Sequence, residues 1–488
     1  MNWGRCGALV VALGMPGLVG LTVAPAHAAG TELHQVVAFI DPAATVTMGG
    51  RAYFSADDGI HGRELWTSDG TSGGTRLLED AHPGSGSSVP TDLVVVGSQL
   101  YFTASDDIHG RELWTSDGTP SGTRMVKDIA GPHLDALSGE GAGLTALGGE
   151  VYFAADDGVH GRELWRSDGS EAGTVRVGGS NDTGSRLPPT AAMAAVGSTL
   201  YFAADPGGTG YELWAYDATD GSAGEVADLY PGTTPGEDGP VVNSSTPAGF
   251  VADGSTLYFV ADDGTGPKLW KIVDGTPSRV TNPAVGSDPT IELVDGLLAV
   301  IDHVLYFAAD DGETGTELWR SDGTPGGTRL VTDLEPDGPG ALFGVSRSDT
   351  AVVDGTLYFA AADKGQLWST DGTAAGTHRV ADLSPSFLAA SGSTLFLTGD
   401  DGTGAGLWVQ GVAEPSTPPA VVPTTKPGCT AATTAAAGAA AQVTSATVKL
   451  KKAKKTRNPA KVKKARKRLA KAKKAAATAA AAQAAACA

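Results

Sequence analysis

The chain has 488 residues, including 68 Gly and 28 Pro, and a formal net charge of −20 from 35 basic and 55 acidic residues. No long helical period occurs before residue 430, which argues against a helical solenoid. After the first 28 residues, no stretch is long and apolar enough to span a bilayer.

The N-terminal residues have the pattern of a secretory signal peptide. Arg5 supplies positive charge, residues 8–23 are apolar, and Ala26-His27-Ala28 fits the small-x-small cleavage rule. We therefore predict a signal peptide over 1–28 and a secreted protein, extracellular or associated with the cell envelope. Its removal also removes Cys6, so that an even pair of cysteines stays in the mature chain.

Eight of the nine tryptophans recur in one local phrase, each preceded by an aromatic pair or its remnant. They are Trp66, Trp114, Trp165, Trp214, Trp270, Trp319, Trp368 and Trp408. The aromatic pairs, from Tyr53-Phe54 to Phe396-Leu397, lie 38 to 57 residues apart. A period near 50 indicates a supersecondary unit that buries its apolar face against the next copy. We expect the tryptophans to pack between units rather than to stack on sugars.

The clearest copies read LYFTASDDIHGRELWTSDGTPSGTRMVKDI and LYFAADDGETGTELWRSDGTPGGTRLVTDL. Over about residues 31–410, the phrase resembles the bacterial ELWxxDGT repeat family, because Glu-Leu-Trp, Asp-Gly-Thr and Gly-Thr recur in fixed order. Some copies depart from it: Lys-Leu-Trp stands at Trp270, and no Asp-Gly-Thr follows Trp408. The resemblance implies a β-propeller-like repeat fold and little about function.

The pattern of each unit predicts four short strands that are separated by turns. In one unit they are 92–96, 100–104, 112–116 and 123–129, with turn residues at Gly97-Ser98 and Asp117-Gly118-Thr119. Four strands in about 50 residues is the size of one propeller blade. We predict an all-β propeller over residues 29–412.

The two ends of the array complete each other. The last unit stops after its third strand, 406–410, while the orphan segment 33–42 matches a fourth strand. We expect the N-terminal strand to close the last blade, which removes a free sheet edge. This arrangement gives eight blades; seven blades with a divergent cap is the alternative, because the eighth unit is short.

A Pro/Thr-rich linker at 413–428 precedes a segment of Ala and Lys without acidic residues, 429–488. Apolar positions follow a heptad pattern on both sides of Asn458-Pro459, which favours an antiparallel helical hairpin. Folding at that turn brings Cys429 beside Cys487, and we predict a disulfide between them.

The hairpin carries 15 Lys and Arg. The rest of the chain has 20 basic and 55 acidic residues and therefore a net charge of −35. The basic surface of the hairpin favours polyanions, so an anionic cell-wall polymer or another polyanion is the predicted partner. No aromatic residue is present to stack on bases, which argues against specific nucleic-acid binding. The alternative to polyanion binding is that the hairpin is only a solubilising segment or a spacer. The candidate polyanion-binding residues are Lys451, Lys452, Lys454, Lys455, Arg457, Lys461, Lys463, Lys464, Arg466, Lys467 and Arg468.

Paired aspartates recur between the second and third strands, on the face that also receives the long inter-blade segments. Paired carboxylates are suitable ligands for Ca²⁺. However, Asp-Gly is also a common turn sequence, and its recurrence in most blades favours a turn-building role. The candidate calcium ligands are Asp57, Asp58, Asp106, Asp107, Asp156, Asp157, Asp310 and Asp311. Similar pairs stand at Asp262-Asp263 and Asp400-Asp401.

Two other recurring groups are predicted to be structural. The aspartates of the Asp-Gly-Thr turns, Asp69, Asp117, Asp168, Asp322 and Asp371, should each accept backbone N–H bonds across the hairpin. His61, His109 and His160 lie in separate blades and cannot converge on one zinc ion, so they are better interpreted as turn residues.

The sequence contains no His-Glu-x-x-His or phosphate-loop motif, and its one Gly-x-Ser-x-Gly match, at 70–74, overlaps an Asp-Gly-Thr turn of the repeat. We therefore predict a non-catalytic binding or scaffolding protein, whose variable loops engage a protein or glycan. No cofactor other than calcium is indicated. An extracellular glycan hydrolase or lyase on a propeller scaffold is the alternative, because dispersed carboxylates could form a catalytic pair.

Overall fold

The computed structural model describes residues 33–411, apart from 107, 138–140, 178–186, 189–191, 209, 237–238, 281–289, 292–296, 337–339, 343–348 and 362–365, together with 467, 468, 471 and 474. Residues 33–411 form antiparallel sheets arranged as the blades of a propeller, as predicted. Two short 3₁₀ turns, Pro120–Gly122 and Pro325–Gly327, follow Asp-Gly-Thr turns.

The first strand of the chain is β1 (His34–Ala38). Blade 1 contains β2 (Ile40–Met48), β3 (Arg51–Asp57), β4 (Arg63–Ser68) and β5 (Arg76–Glu79). Blade 2 contains β6 (Thr91–Val96), β7 (Gln99–Asp106), β8 (Gly110–Ser116) and β9 (Arg124–Lys127). Blade 3 contains β10 (Thr145–Leu147), β11 (Glu150–Asp156), β12 (Arg162–Ser167) and β13 (Val175–Arg176). Blade 4 contains β14 (Met193–Val196), β15 (Thr199–Ala204), β16 (Glu212–Asp217) and β17 (Ala223–Ala227).

A separate two-stranded ribbon follows, formed by β18 (Thr233–Gly236) and β19 (Gly239–Val242). Blade 5 contains β20 (Ala248–Asp253), β21 (Thr256–Asp262), β22 (Pro267–Val273) and β23 (Thr276–Arg279). Blade 6 contains β24 (Thr290–Ile291), β25 (Leu297–Ile301), β26 (Val304–Asp310), β27 (Thr316–Ser321) and β28 (Arg329–Thr332). Blade 7 contains β29 (Thr350–Val353), β30 (Thr356–Ala361), β31 (Gln366–Thr370) and β32 (His378–Ala381). Blade 8 contains β33 (Ser384–Ser391), β34 (Thr394–Asp400), β35 (Ala405–Gln410) and β1.

The N-terminal strand closes the ring, as the sequence predicted. Strand β1 pairs antiparallel with β35, and Phe39 N–H donates to Ala405 O at 2.9 Å. The eighth unit is therefore a complete four-stranded blade, and the alternative of seven blades with a cap is wrong. Each first strand contacts the first strands of both neighbouring blades around the ring.

Among the residues that the structure describes, the hydrophobic core forms eight clusters, one at each junction between blades. The phenylalanine of every aromatic pair is fully buried. These residues are Phe54, Phe102, Phe153, Phe202, Phe259, Phe307, Phe359 and Phe396. Both faces of the second strands are buried because each blade is packed between two others, which explains why those strands are almost continuously apolar.

Candidate functional site

The two faces of the ring carry different connections. Connections between strands two and three, and those that lead to the next blade, lie together: Arg63 N–H donates to Ser87 Oγ at 3.0 Å, and His133 N–H to Ile108 O at 3.0 Å. We call this side the loop face. The opposite side, which carries the Asp-Gly-Thr turns, is the turn face.

The paired aspartates of the loop face hydrogen-bond to their own loops. Asp57 Oδ1 accepts from Gly59 N–H at 2.6 Å, while Asp58 Oδ1 accepts from the amides of Ile60 and His61 at 2.8 and 2.9 Å. Equivalent bonds recur in other loops. Their acceptors are Asp106, Asp156, Asp157, Asp262, Asp263, Asp310, Asp311, Asp400 and Asp401. The predicted turn-building role is confirmed.

Calcium binding stays the alternative to the turn-building role of these loops, to be decided by titration. Asp107 lies outside the described residues. Among the residues whose placement is described, no three His, Cys, Asp or Glu side chains come close enough to hold a metal ion. The described aspartates therefore accept hydrogen bonds from backbone amides of their own loops. A calcium ion bound by one pair of aspartates would need carbonyl oxygens and water as its other ligands.

A histidine pairs with an aspartate in the equivalent loops of blades 1, 2 and 3. The Nδ1 atoms of His61, His109 and His160 lie 2.8, 2.8 and 2.7 Å from the Oδ2 atoms of Asp58, Asp106 and Asp157. Each histidine side chain is about a third exposed. The three residues are turn residues of separate loops, as predicted.

Hydrogen bonding sets the protonation of the first pair. The bond to Asp58 raises the pKa of His61 above its usual 6.5. Partial burial opposes ionisation of Asp58, but hydrogen bonds from the His61 and Ile60 amides and the His61 ring outweigh it and lower the pKa of Asp58. The loop thus favours a protonated histidine beside an ionised aspartate.

An exposed aliphatic side chain precedes each of these histidines. Ile60, Ile108 and Val159 are 68, 57 and 80% exposed, at the same position in three successive blades. Ile40, beside Gly59, and Leu134, in the connection from blade 2 to blade 3, are 59 and 55% exposed. We call these five residues the aliphatic row. All five lie on the loop face, and a face that gathers exposed aliphatic side chains is a candidate interaction surface.

The β18–β19 ribbon belongs to the connection from blade 4 to blade 5, which lies on the loop face. All residues of its two strands are exposed, including Val241 and Val242. Pro235 lies opposite Pro240, so neither strand offers an unbroken series of N–H donors to another sheet. Its base is held by Asn243, whose amide group donates to Pro231 O at 3.1 Å.

The glutamate of Glu-Leu-Trp holds the inter-blade connections of the loop face in place. Glu64 Oε1 accepts from Ser88 N–H at 2.9 Å, and its Oε2 from Ala81 N–H at 3.1 Å. Glu317 accepts in the same way from Leu334 and Ala341 N–H. The glutamates in this position are almost completely buried. They are Glu64, Glu112, Glu163, Glu212 and Glu317.

Sequence analysis did not assign this role, although a charged residue that recurs inside an apolar strand was a signal for it. Burial raises the pKa of Glu64, Glu212 and Glu317, and that of Glu112 to about 8. Desolvation causes the large shift of the Glu112 pKa, and the hydrogen bonds from the Ile129 and Ala130 amides, at 3.2 and 3.5 Å, only partly offset it.

The Asp-Gly-Thr turns of the turn face are structural, as predicted. Asp117 Oδ1 accepts from the amide and hydroxyl of Thr119 at 2.9 and 2.6 Å, and these bonds lower the pKa of Asp117. A Cβ atom on Gly122 would lie 2.1 Å from Asp117 Oδ1, which explains the glycine of the recurring Gly-Thr. The bonds run within the turn rather than across the hairpin.

The eight repeat tryptophans are buried or half-buried, and they contact neighbouring strands. The indole N–H groups of Trp66 and Trp114 donate to Ala56 O and Ala104 O, both at 3.1 Å. Lys127 Nζ lies 5.8 Å from the centroid of the Trp165 ring. These contacts fit the predicted packing role.

Most of the C-terminal predictions lie outside the described residues: Cys429, Cys487, the helical hairpin as a whole and the basic residues from Lys451 to Arg466. Lys467 and Arg468 are helical and exposed, as are Lys471 and Lys474. Within the residues that are described, none of the helices could cross a membrane.

No family model and no curated protein matches the chain. Solved structures of low sequence identity resemble it. A prolyl endopeptidase matches with a TM-score of 0.45 and 11% identity over 71% of this chain and 50% of that chain. The β-propeller domain of the Trilobed protease from Pyrococcus furiosus matches with 0.37 and 9% over 76% and 95%. A puromycin-hydrolysing peptidase from Mycobacterium tuberculosis matches with 0.43 and 14% over 71% and 56%. This chain thus covers about half the length of the two peptidases.

Proposed function

We propose that the protein is a secreted, non-catalytic binding or scaffolding protein whose loop face engages a protein partner. The observation that carries this proposal is the aliphatic row. Of the eight large hydrophobic side chains exposed in the described part of the chain, five form this row and two more, Val241 and Val242, stand on the ribbon of the same face. Only Val273 lies on the turn face.

The arrangement of the row favours a protein over a glycan as its partner. Aliphatic side chains interdigitate with apolar side chains, whereas sugars stack on exposed aromatic rings and hydrogen-bond to polar groups. The paired His and Asp side chains beside the row provide a polar rim. The rigid ring behind it fixes the spacing between successive anchors, so little conformational entropy is lost on binding.

The C-terminal segment 429–488 completes the proposal. Its 15 basic residues would associate with anionic cell-envelope polymers and keep the acidic propeller close to the producing cell. The resemblance to the ELWxxDGT family agrees with export but identifies no partner.

The loop-face proposal is tested with the mature protein, the triple variant Ile60→Ser/Ile108→Ser/Val159→Ser, and the control Val273→Ser on the turn face. Each is cross-linked to the secreted and surface proteins of the producing cell, and the products are identified by mass spectrometry. We expect one protein to be captured by the wild type and the control and lost with the triple variant. Equal capture by all three would contradict the proposal.

The tether is tested separately by deletion of residues 413–488. We expect the deleted form to move from the envelope fraction to the medium with an unchanged melting temperature. Retention in the envelope fraction would contradict the tether and leave the loop-face proposal untouched.

A further inference from the structure

An open polar pocket of about 280 Å³ lies on the turn face between blades 2 and 3. Gln99, Tyr101, Thr115, Asp117 and Arg124 of blade 2 line it together with Asp168 of blade 3. Its walls are therefore rich in hydrogen-bonding groups, and it lies on the side of the ring opposite the aliphatic row.

The neighbouring junctions show why a pocket opens here. At the position of Gln99, blade 1 has Arg51, whose guanidinium donates to Gly74 O at 2.6 Å and to Thr67 Oγ1 at 3.1 Å. Blade 3 has Glu150 there, paired with Arg166 at 2.8 Å. Each of these side chains is held across the space beside its turn.

Gln99 leaves that space open. It is shorter than arginine, and its Oε1 accepts one long hydrogen bond, 3.4 Å, from the Thr115 hydroxyl. Blade 2 therefore lacks the long, anchored side chain that both neighbouring blades have at this position. Blades 4 to 8 have shorter residues there, namely Thr199, Thr256, Val304, Thr356 and Thr394.

Several polar atoms around the pocket have capacity for a ligand. Asp117 and Asp168 use Oδ1 within their own turns. In blade 1, Oδ2 of the equivalent Asp69 accepts from Arg51 at 3.4 Å, whereas no donor in the described part of the chain reaches Oδ2 of Asp117 or Asp168. Arg124 uses one nitrogen to donate to Gly169 O at 2.8 Å, and the planar guanidinium carries further donors.

We propose that this pocket binds a neutral, polyhydroxylated ring the size of one hexose, either free or at the end of a glycan. Two carboxylates and one guanidinium give the lining a negative balance, which disfavours anions. Adjacent hydroxyls can donate to Asp117 and Asp168 and accept from Arg124, as a sugar ring allows. The volume is at the low end of the range for ligand pockets, which fits one ring rather than a chain.

The proposal is independent of the loop-face function, because it uses different residues on the opposite face. It is tested by saturation-transfer NMR on the mature protein with D-glucose, D-galactose, D-mannose and L-arabinose, and with maltohexaose and galactan oligosaccharides. We expect saturable binding of at least one sugar with a Kd on the order of 1 mM, as is reasonable for so few contacts. A tighter Kd for the oligosaccharide would assign the ligand to a glycan end, and equal values to the single ring.

Two variants remove the site and one matched control leaves it. Gln99→Arg introduces the residue that fills the equivalent space in blade 1, and Arg124→Gln removes the guanidinium; we expect each to raise the Kd at least tenfold. Arg320→Gln removes the similar bond from Arg320 to Gly372 O, 3.1 Å, at the junction of blades 6 and 7, and should leave the Kd unchanged.

Melting curves of all three variants establish that they are folded. The proposal is overturned if no sugar gives a saturable signal, since the pocket then holds water alone. It is equally overturned if folded Gln99→Arg binds as the wild type does, or if Arg320→Gln weakens binding as much as Arg124→Gln.

Discussion

Glu212 accepts hydrogen bonds from both the backbone amide, at 2.9 Å, and the hydroxyl of Ser245, a residue 33 positions further along the chain. Its Oε2 atom also accepts from Leu229 N–H at 2.9 Å. One buried carboxylate thus fixes both ends of the connection that carries the β18–β19 ribbon. Glu64 and Glu317 hold the shorter connections that follow blades 1 and 6 in the same way. The loop face therefore owes its shape to a residue of the repeat motif.

Replacement of Glu212 by Ala should destabilise the propeller by about 3 kcal/mol or more, because the amides of Leu229 and Ser245 lose their acceptor inside the protein. The matched control is Glu225→Ala on β17 of the same blade, whose side chain is exposed and whose loss should change stability by about 0.5 kcal/mol or less. Urea unfolding followed by tryptophan fluorescence measures both. Similar midpoints for the two variants would contradict the assigned role.

Stability should decrease as the pH rises towards 8, in part because of Glu112. Burial raises the pKa of Glu112 from 4.5 to about 8, so the folded protein holds this proton more tightly than the unfolded chain does. A raised folded-state pKa contributes stability that is fully present below about pH 4.5 and is lost as the pH rises through about 8.

The variant Glu112→Gln keeps the shape of the side chain but cannot ionise. Its free energy of unfolding should therefore change less between pH 5 and pH 8.5 than that of the wild type, in denaturant titrations at several pH values. The exposed control Glu225→Gln should follow the wild-type curve. Parallel curves for wild type and Glu112→Gln would show that the carboxyl group does not titrate in this range.

The sequence predicted the parts of the fold that repeat. Alternation and turn residues placed the second strand of blade 2 at 100–104, and the structure extends it to Gln99–Asp106. Ring closure was predictable because a missing strand at one end matched a surplus strand at the other. The recurring glutamate was a signal for a buried role, but its donors were harder to predict. One donor lies 17 residues after the glutamate, as Leu229 does after Glu212, whereas the separation of the second varies from 24 to 33 residues. The polar pocket was not predictable because its lining combines residues of two blades, such as Arg124 and Asp168, which are brought together only in the folded ring.

The closing strand should contribute stability through Phe39. This residue is 7% exposed, and its ring centroid lies 5.4 Å from that of Phe54 and 4.9 Å from that of Trp66. Phe39→Ala should cost about 3 kcal/mol through the cavity it leaves between blades 8 and 1. Ile40→Ala, one residue away and 59% exposed, is the control, expected within about 0.5 kcal/mol of the wild type. Equal losses in urea unfolding would mean that the junction does not depend on this ring.

The histidine–aspartate pairs predict a measurable titration. Since the bond to Asp58 raises the pKa of His61, its imidazole should titrate above 6.5 in an NMR pH series, and Asp58→Asn should lower its pKa. Asp157→Asn, which alters the equivalent loop of blade 3, should leave the His61 titration unchanged. A His61 curve that is insensitive to Asp58→Asn would show that the pair is not formed in solution.

Calcium binding is the remaining question about the loop face, and the hydrogen bonds in the loops give an expected answer. Asp57 and Asp58 each commit Oδ1 to backbone amides, and Asp58 Oδ2 bonds to His61 at 2.8 Å, so a metal ion bound between the two aspartates would compete with His61 for Asp58 Oδ2. We therefore expect calorimetric titration of Ca²⁺ to give only heats of dilution, and melting temperatures in calcium and in chelator to agree. Saturable binding that is lost in Asp57→Asn/Asp58→Asn would instead establish the loops as metal sites. The loop face would then depend on calcium, because binding to the folded state alone raises its stability with ligand concentration.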